Sequence, residues 1–366
     1  MSVYNAPCNI VGIGSCLGSL KITNEALAAN LKTTPGFIEA RTGIKARYRC
    51  DPEKENLYVL MAAAMEKAVH AADDISFEYI DGIFAACNPT GKFLLPDTPT
   101  VVASLVGIDN FYSGHGGTGC CGGFFALQYA CNQLSLDTEE NKTSVYAVVI
   151  GDETSAMITP GSLDEMLFSD GAVCVLVTNN TDLEPYYMVK KIDRKTTYEG
   201  SKALMLHRGA DTYLHHDGRQ VYKFAINIYP TILELTGKSR INPSTYFIPH
   251  QANVRIIHKL KEKSGLPNVY EDGVRNYGNT SPASVFMGLE DLTRRNLITT
   301  GQEILLAGFG EGLSVAVAEL TSGRLVETRG KPFEEVLFGS PEIAERYMKE
   351  FNRIWEHQRS LQELQN

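Results

Sequence analysis

Three apolar runs, each ending in glycine or polar residues, constrain the fold of this chain more than any other feature. They are "NIVGIGSCLG" near the N-terminus, "YIDGIFAAC" and "SVYAVVIGDETS". Each reads as a buried strand running into a turn or polar loop, and helical patterns such as "LYVLMAAAMEKAVHAA" lie between them. Strands alternating with helices predict an α/β protein with buried, largely parallel strands. The run "GAVCVLVTN" closes this half, giving an N-terminal unit over residues 1–180.

A second unit, over residues 181–325, echoes the first. "KFAINIYPTILELTG" reads as one helix, "TYFIPHQAN" as a strand ending in polar residues, and "ANVRIIHKLKEKSG" as a helix stopped by Gly265. Ser281 and Pro282 read as the cap and first residue of the helix "ASVFMGLEDLTRRNLI". "EILLAGFGEGLSVAVAEL" reads as a hairpin around a glycine turn. No fixed-period repeat links the units, so any duplication is structural. Residues 326–366 read as a helical extension whose apolar positions Ile343, Tyr347, Phe351, Ile354 and Leu361 recur at helical spacing.

Composition excludes several function classes. With 43% hydrophobic and 21% charged residues over 366 positions, the chain is an ordinary globular one rather than disordered or fibrous. A net charge of −9 argues against nucleic acid as the main partner. No run approaches the ~18 apolar residues of a spanning helix and no secretory leader is visible, so a cytoplasmic protein is expected. The eight cysteines show no CxxC or Cys/His spacing that suits a metal, and in a reducing compartment they are expected to stay thiols.

The chemistry gathers in three segments. In "GHGGTGCCGGFFALQYA", two adjacent cysteines sit in a glycine cluster before a helical run. Cys121 falls at the expected helix N-terminus, where unpaired N–H groups and the dipole favour a thiolate, and so is the preferred nucleophile over Cys120. Two packed core cysteines at a tight turn would look the same locally. A thiol nucleophile needs a proton-handling companion, and His250 in "IPHQAN" sits at a strand-to-helix junction. His70, His258 and His357 lie in charged helical patterns, His207, His215 and His216 in a loop-rich stretch, and His115 ranks lower within the glycine cluster. Asn279 in "NYGNTSPAS" could donate to a developing oxyanion or simply stabilise a turn.

Taken together, "CGGF", "PHQANVRI", "GNTSPASV" and "GFGEGLS", with "RTGIKAR" and "LFSDGAV", resemble the β-ketoacyl-acyl-carrier-protein synthase III family of the thiolase superfamily, in the family's order, over about residues 8 to 322. The resemblance implies a thiolase-like fold of two duplicated α/β halves packed as five αβαβα layers, in a homodimer. It implies a Cys121-His250-Asn279 triad, with Cys120 as packing, and an acyl group held on cysteine before decarboxylative condensation with a malonyl- or β-ketoacyl-type thioester. Coenzyme A or acyl-carrier-protein thioesters would be the substrates, with no metal or redox cofactor.

Several positions depart from the family's pattern. Phe37 stands where a tryptophan often stacks on the coenzyme A adenine, beside the retained Arg41. Leu95 falls where some members carry a phenylalanine that closes the acyl pocket across the dimer, and Glu311, after Gly310, where a smaller residue is common. These differences point to a specialised relative in polyketide-like or secondary metabolism. Acyl transfer to an alcohol or amine without condensation is the competing reading. Arg255, Lys259 and Lys263, at i, i+4 and i+8 after His250, line one helix face that by itself reads as an ordinary solvated surface; its place next to His250 makes it the candidate docking face for an acidic acyl carrier protein.

Overall fold

The computed structural model describes residues 7–72, 74–88, 95–117, 119–206, 213–324 and 341–363, the last with side chains over 342–354. The first half holds strands β1 (Asn9–Leu17), β2 (Leu20–Thr23), β3 (Ala46–Arg49), β4 (Gly82–Ala86), β5 (Tyr112–His115), β6 (Val145–Asp152) and β7 (Gly171–Thr178). Its helices are α1 (Asn24–Asn30), α2 (Pro35–Thr42), α3 (Leu57–Ala71), α4 (Thr98–Val106) and α5 (Gly122–Glu139). The second half holds β8 (Tyr187–Thr196), β9 (Leu204–Leu206), β10 (Leu214–His216), β11 (Tyr246–Pro249), β12 (Glu303–Gly310) and β13 (Ser314–Ser322). Its helices are α6 (Gly218–Ala225), α7 (Tyr229–Thr236), α8 (Val254–Ser264), α9 (Asp272–Tyr277) and α10 (Ser284–Arg294).

The two halves share one topology. In the first, β5, β4 and β6 run parallel, while β7 pairs antiparallel with β6 and with β1. In the second, β11 and β12 run parallel, and β13 pairs antiparallel with β12 and with β8. Val269 bridges Phe247 in parallel at the place where β5 stands in the first half. The halves meet edge to edge through Asn9–Met188 and Ile10–Tyr187, joining their strands into one nine-stranded sheet.

Both faces of the strands are covered, which is why they read as continuous apolar runs. On β6, Tyr146, Val148 and Ile150 face the central core, while Val145, Ala147 and Val149 face the core shared with α3. On β12, Ile304 and Leu306 face the centre, and Leu305, Ala307 and Phe309 face the cluster that includes α7 and α8. The central layer is α5 and α10, whose Phe124 and Phe286 rings sit 5.3 Å apart. The result is the five-layered thiolase-like arrangement. Every residue of α10 is buried, its charges included. Arg294 pairs with Asp291 and, at 3.3 Å, with Glu290, so losing one partner would strand a buried charge.

The strands, expected to be largely parallel, are mixed: β4–β5, β4–β6 and β11–β12 pair in parallel, whereas β1–β7, β1–β8, β6–β7, β8–β13 and β12–β13 pair antiparallel. Consecutive strands such as β6–β7 and β12–β13 are joined without an α-helical crossover, which parallel pairing would need. Three local expectations change as well. The single helix read over "KFAINIYPTILELTG" is two, α6 and α7, because Pro230 in the first turn of α7 has no N–H to continue α6 and clashes with the preceding turn. Ser281 makes no cap hydrogen bond, and a 3-10 turn over Ser281–Ala283 precedes α10. Cys8 and Cys131, expected to stay thiols, are disulfide-bonded, with their Cα atoms 5.6 Å apart, and link the start of β1 to α5.

The C-terminal helix Pro341–Glu363 lies on α3 and α4. Phe351 stacks on Tyr58 with ring centroids 5.7 Å apart, and the Tyr347 hydroxyl donates to Glu66 at 2.6 Å. The side chains of Trp355, His357 and Leu361 lie outside the described residues, as do His207 and the 325/326 boundary.

Candidate active site

A cavity of about 1050 Å³ opens among the C-terminal ends of β6, β11 and β12, the N-terminus of α5 and the turn before α10. Functional groups in α/β proteins collect at such strand ends. Among the residues expected to act, Arg41, His250, Arg255, Asn279, Gly310 and Glu311 line it, and so does Cys120.

Cys121 does not line it. Its side chain is fully buried, and its thiol points to the Ser314 carbonyl at 3.8 Å. Cys121 is the N-cap of α5 and stands in line with Phe124, Leu127, Cys131 and Leu134 on the helix's core seam. Cys120 precedes the N-cap, in the turn between Gly119 and α5, and there it lines the cavity, with its Sγ 3.8 Å from Ser281 Oγ. The nucleophile expected at Cys121 is therefore reassigned below to Cys120. Burial and then the Glu311 charge push both thiols up, so the helix N-terminus does not hold a resting thiolate here.

His250 is 1% exposed, and burial pushes its imidazole down to about 3, so it is neutral in the ordinary pH range. Its backbone N–H donates to the Ala307 carbonyl at 2.7 Å, fixing it beside β12. Its Nδ1 lies 2.6 Å from Ser284 Oγ, and that oxygen also accepts the Gln251 N–H at 3.3 Å. With the Ser284 proton directed to Nδ1, Nε2 carries the ring's hydrogen and is a donor.

Asn279 is held in a comparable way. Its backbone N–H donates to Leu167 O at 2.9 Å, and its Oδ1 accepts the Ser281 N–H at 2.9 Å. The amide oxygen is thereby occupied, which leaves Nδ2 as the available donor.

Sequence reading missed the scaffold beneath the cysteine turn. Asp152, at the end of β6, accepts from Asn88 N and Asn88 Nδ2, both at 2.6 Å, and Asn88 Oδ1 accepts the Gly119 N–H at 3.0 Å. Burial pushes the Asp152 carboxyl up to about 6, against the pull of the Ser281 hydroxyl and Asn88. The polar residues closing "IFAACN" and "VIGDETS" were the only hint in the sequence. Ser281 and Ser284 were missed because both read as helix-start residues.

The remaining expected residues are scattered. Phe37, on α2, is 45% exposed and outside the cavity, although Arg41 on the same helix lines it. Leu95 is 86% exposed and outside the cavity of its own chain. Lys259 pairs with Glu262 at 2.6 Å and Lys263 donates to Asn227 at 2.6 Å, both exposed, while Arg255 stacks over the Tyr222 ring. His216, unplaced from sequence, lines the cavity paired with Asp164 at 2.6 Å, whereas His115 lies near Cys87 away from it. No cluster of three or more possible metal ligands occurs among the described residues.

A five-layered duplicated fold, with a thiol, a neutral imidazole and a carboxamide opening on one cavity, defines the thiolase-like condensing enzymes. Comparison with known proteins agrees. Residues 239–321 match the C-terminal family of 3-oxoacyl-[acyl-carrier-protein] synthase III. The chain is 28% identical over 327 residues to a β-ketoacyl-[acyl-carrier-protein] synthase III of Clostridium perfringens, covering 84% of this chain and 97% of that protein. It superposes on the priming β-ketosynthase of the R1128 polyketide pathway (TM-score 0.77, 26% identity, 88% of this chain and 99% of that one). It also superposes on 3-oxoacyl-[acyl-carrier-protein] synthase III of Aquifex aeolicus (TM-score 0.76, 27% identity, 86% and 99%). Over most of its length the chain is thus similar to the β-ketoacyl-acyl-carrier-protein synthase III family.

Proposed function

We propose that this enzyme takes an acyl group from a thioester onto Cys120 and condenses it, with loss of CO2, with a malonyl- or β-ketoacyl-type thioester. The observation that carries this reading is the convergence of Cys120, His250 and Asn279 on one cavity, each held by its own hydrogen bonds or packing. In the first half-reaction, the Cys120 sulfur attacks the thioester carbonyl, and the backbone N–H groups of Cys120 and Glu311 serve the tetrahedral oxyanion. In the second, His250 Nε2 and Asn279 Nδ2 donate to the thioester oxygen of the malonyl unit. That oxygen gains enolate charge as CO2 departs, and donors already in place stabilise it without reorganising. The carbanion then attacks the acyl-cysteine and releases the β-keto thioester.

The cavity wall away from Cys120 is largely apolar, with Met157, Ile158, Phe168, Leu204 and Leu206, which suits an acyl chain. The named activities of the relatives support fatty acid or polyketide-like chain building as the setting. The test is intact-protein mass spectrometry with a panel of acyl thioesters, followed by CO2 release from a malonyl thioester. An acyl mass shift plus CO2 release dependent on it is expected. Acyl transfer to an alcohol or amine without CO2 would overturn condensation.

An acyl carrier protein is the proposed partner, meeting the exposed face of α8. Arg255 lies at the cavity rim, while Lys259 is partly neutralised by Glu262. Reversing Lys259, which lies outside the cavity, to Glu is expected to raise KM for carrier-bound substrate a few-fold at low salt, with less effect at high salt. A short pantetheine mimic should turn over as before. Equal damage with both substrates would refute docking on this face.

A further inference from the structure

We infer that Glu311 is a catalytic residue, the proton acceptor for Cys120 during acylation; this rests on the assignment of Cys120 as nucleophile. Glu311 follows β12 and lines the cavity beside Cys120. Its carboxyl packs onto the residue before the nucleophile: a Cβ placed on Gly119 would fall 1.8 Å from Glu311 Oε2, so glycine is required there, in a backbone conformation with φ of +70°. On the other side, a Cβ on Gly310 would fall 3.3 Å from Cys120 Sγ. The carboxyl therefore lies in the turn that presents the thiol.

Glu311 Oε2 is buried and makes no hydrogen bond among the described residues. The other lining carboxylate facing this space, Asp164, is committed to His216, and both oxygens of Asp152 are taken by Asn88. A buried polar atom without a partner is costly and calls for a reason. Here the reason is a base held ready for the thiol proton.

The titratable groups that interact with Glu311 are Cys120 and Cys121 at the start of α5 and Asp152 at the end of β6, while His250 lines the same cavity. Burial pushes the Glu311 carboxyl up to about 7, the backbone N–H groups of Glu311, Cys120 and Cys121 pull it down, and the Asp152 charge adds to the rise. His250, pushed well down by burial, is the weaker base and is needed as a donor. A base near the working pH is the effective one.

The step balances. As the sulfur–carbonyl carbon bond forms, the Cys120 S–H proton passes to a Glu311 oxygen. As the tetrahedral intermediate collapses, the donor thioester's carbon–sulfur bond breaks and the same proton passes from Glu311 to the leaving thiolate, regenerating the carboxylate.

The experiment measures the acylation rate of Cys120 against pH in the wild type, in Glu311→Gln, which keeps the shape, and in Glu311→Gly with and without added formate. Wild-type acylation is expected to rise through about pH 7 as the carboxyl ionises. Glu311→Gln should lose that rise and acylate at least about tenfold more slowly at pH 8, while Glu311→Gly should regain tenfold or more with formate. A Glu311→Gln profile with the wild-type shape or rate, or no response of Glu311→Gly to formate, would overturn this inference alone. A wild-type enzyme that never acylates Cys120 would overturn the condensing reading and this inference with it.

Discussion

Replacing Cys120 with alanine is expected to abolish the acyl mass shift altogether, and replacing Cys121 with alanine to leave it in place. Among the described residues Cys120 is the thiol that lines the cavity, so its removal should abolish the covalent intermediate rather than slow it. Cys121 meets core atoms and the Ser314 carbonyl. Its truncation removes one buried sulfur and should cost about 1 kcal/mol of stability, read as a small drop in Tm. Peptide mapping of the acylated wild type decides the matter: acyl on Cys121, or a mass shift surviving in Cys120→Ala, refutes the assignment.

His250→Ala and Asn279→Ala are each expected to lower CO2 release and condensation by about 10²-fold or more, because removing one preorganised oxyanion donor has that size of effect. Acylation of Cys120 should stay within a few-fold of wild type, since the proposed base for that step is Glu311. Asn279→Asp should be at least as damaging as Asn279→Ala. Its carboxylate brings an acceptor to the place where negative charge develops. The His250 imidazole, pushed down to about 3 by burial, is neutral from pH 5 to 9. The decarboxylation step, measured on pre-acylated enzyme, should therefore show no histidine titration in that range. A rate that climbs as pH falls through 6.5 would mean that an imidazolium is the donor, and the division of labour argued here would be wrong.

Much of the fold was legible in the residues. Short continuous apolar runs rich in Val, Ile and Tyr, such as "SVYAVVIGD", suit strands covered on both faces, and helices between them supply the cover. The stop of α8 at Gly265, at φ of +67°, and the hairpin of β12 and β13 follow from local chemistry, because a positive φ or a glycine turn is written in the residue itself. His250 and Asn279 were legible as polar residues at a strand end and before a helix. The break between α6 and α7 was legible too, at Pro230, but the apolar pattern running through it concealed the missing N–H.

What sequence alone determined, then, is what depends on near neighbours in the chain: element type, strand coverage, caps and the segments that carry chemistry. Only tertiary structure decided which of two adjacent cysteines meets the cavity. The decision turns on the path of the turn that leads into α5 and on where Ser314 and Phe286 pack against the start of that helix. The pairing of Cys8 with Cys131, 123 residues apart, was likewise invisible along the chain. So were the Asp152–Asn88–Gly119 scaffold and the lone carboxyl of Glu311 against Gly119, because each joins strand ends far apart in sequence. Burial, which sets the protonation of His250 and Glu311, belongs to the packed molecule, since a side chain's desolvation is fixed by every element that surrounds it.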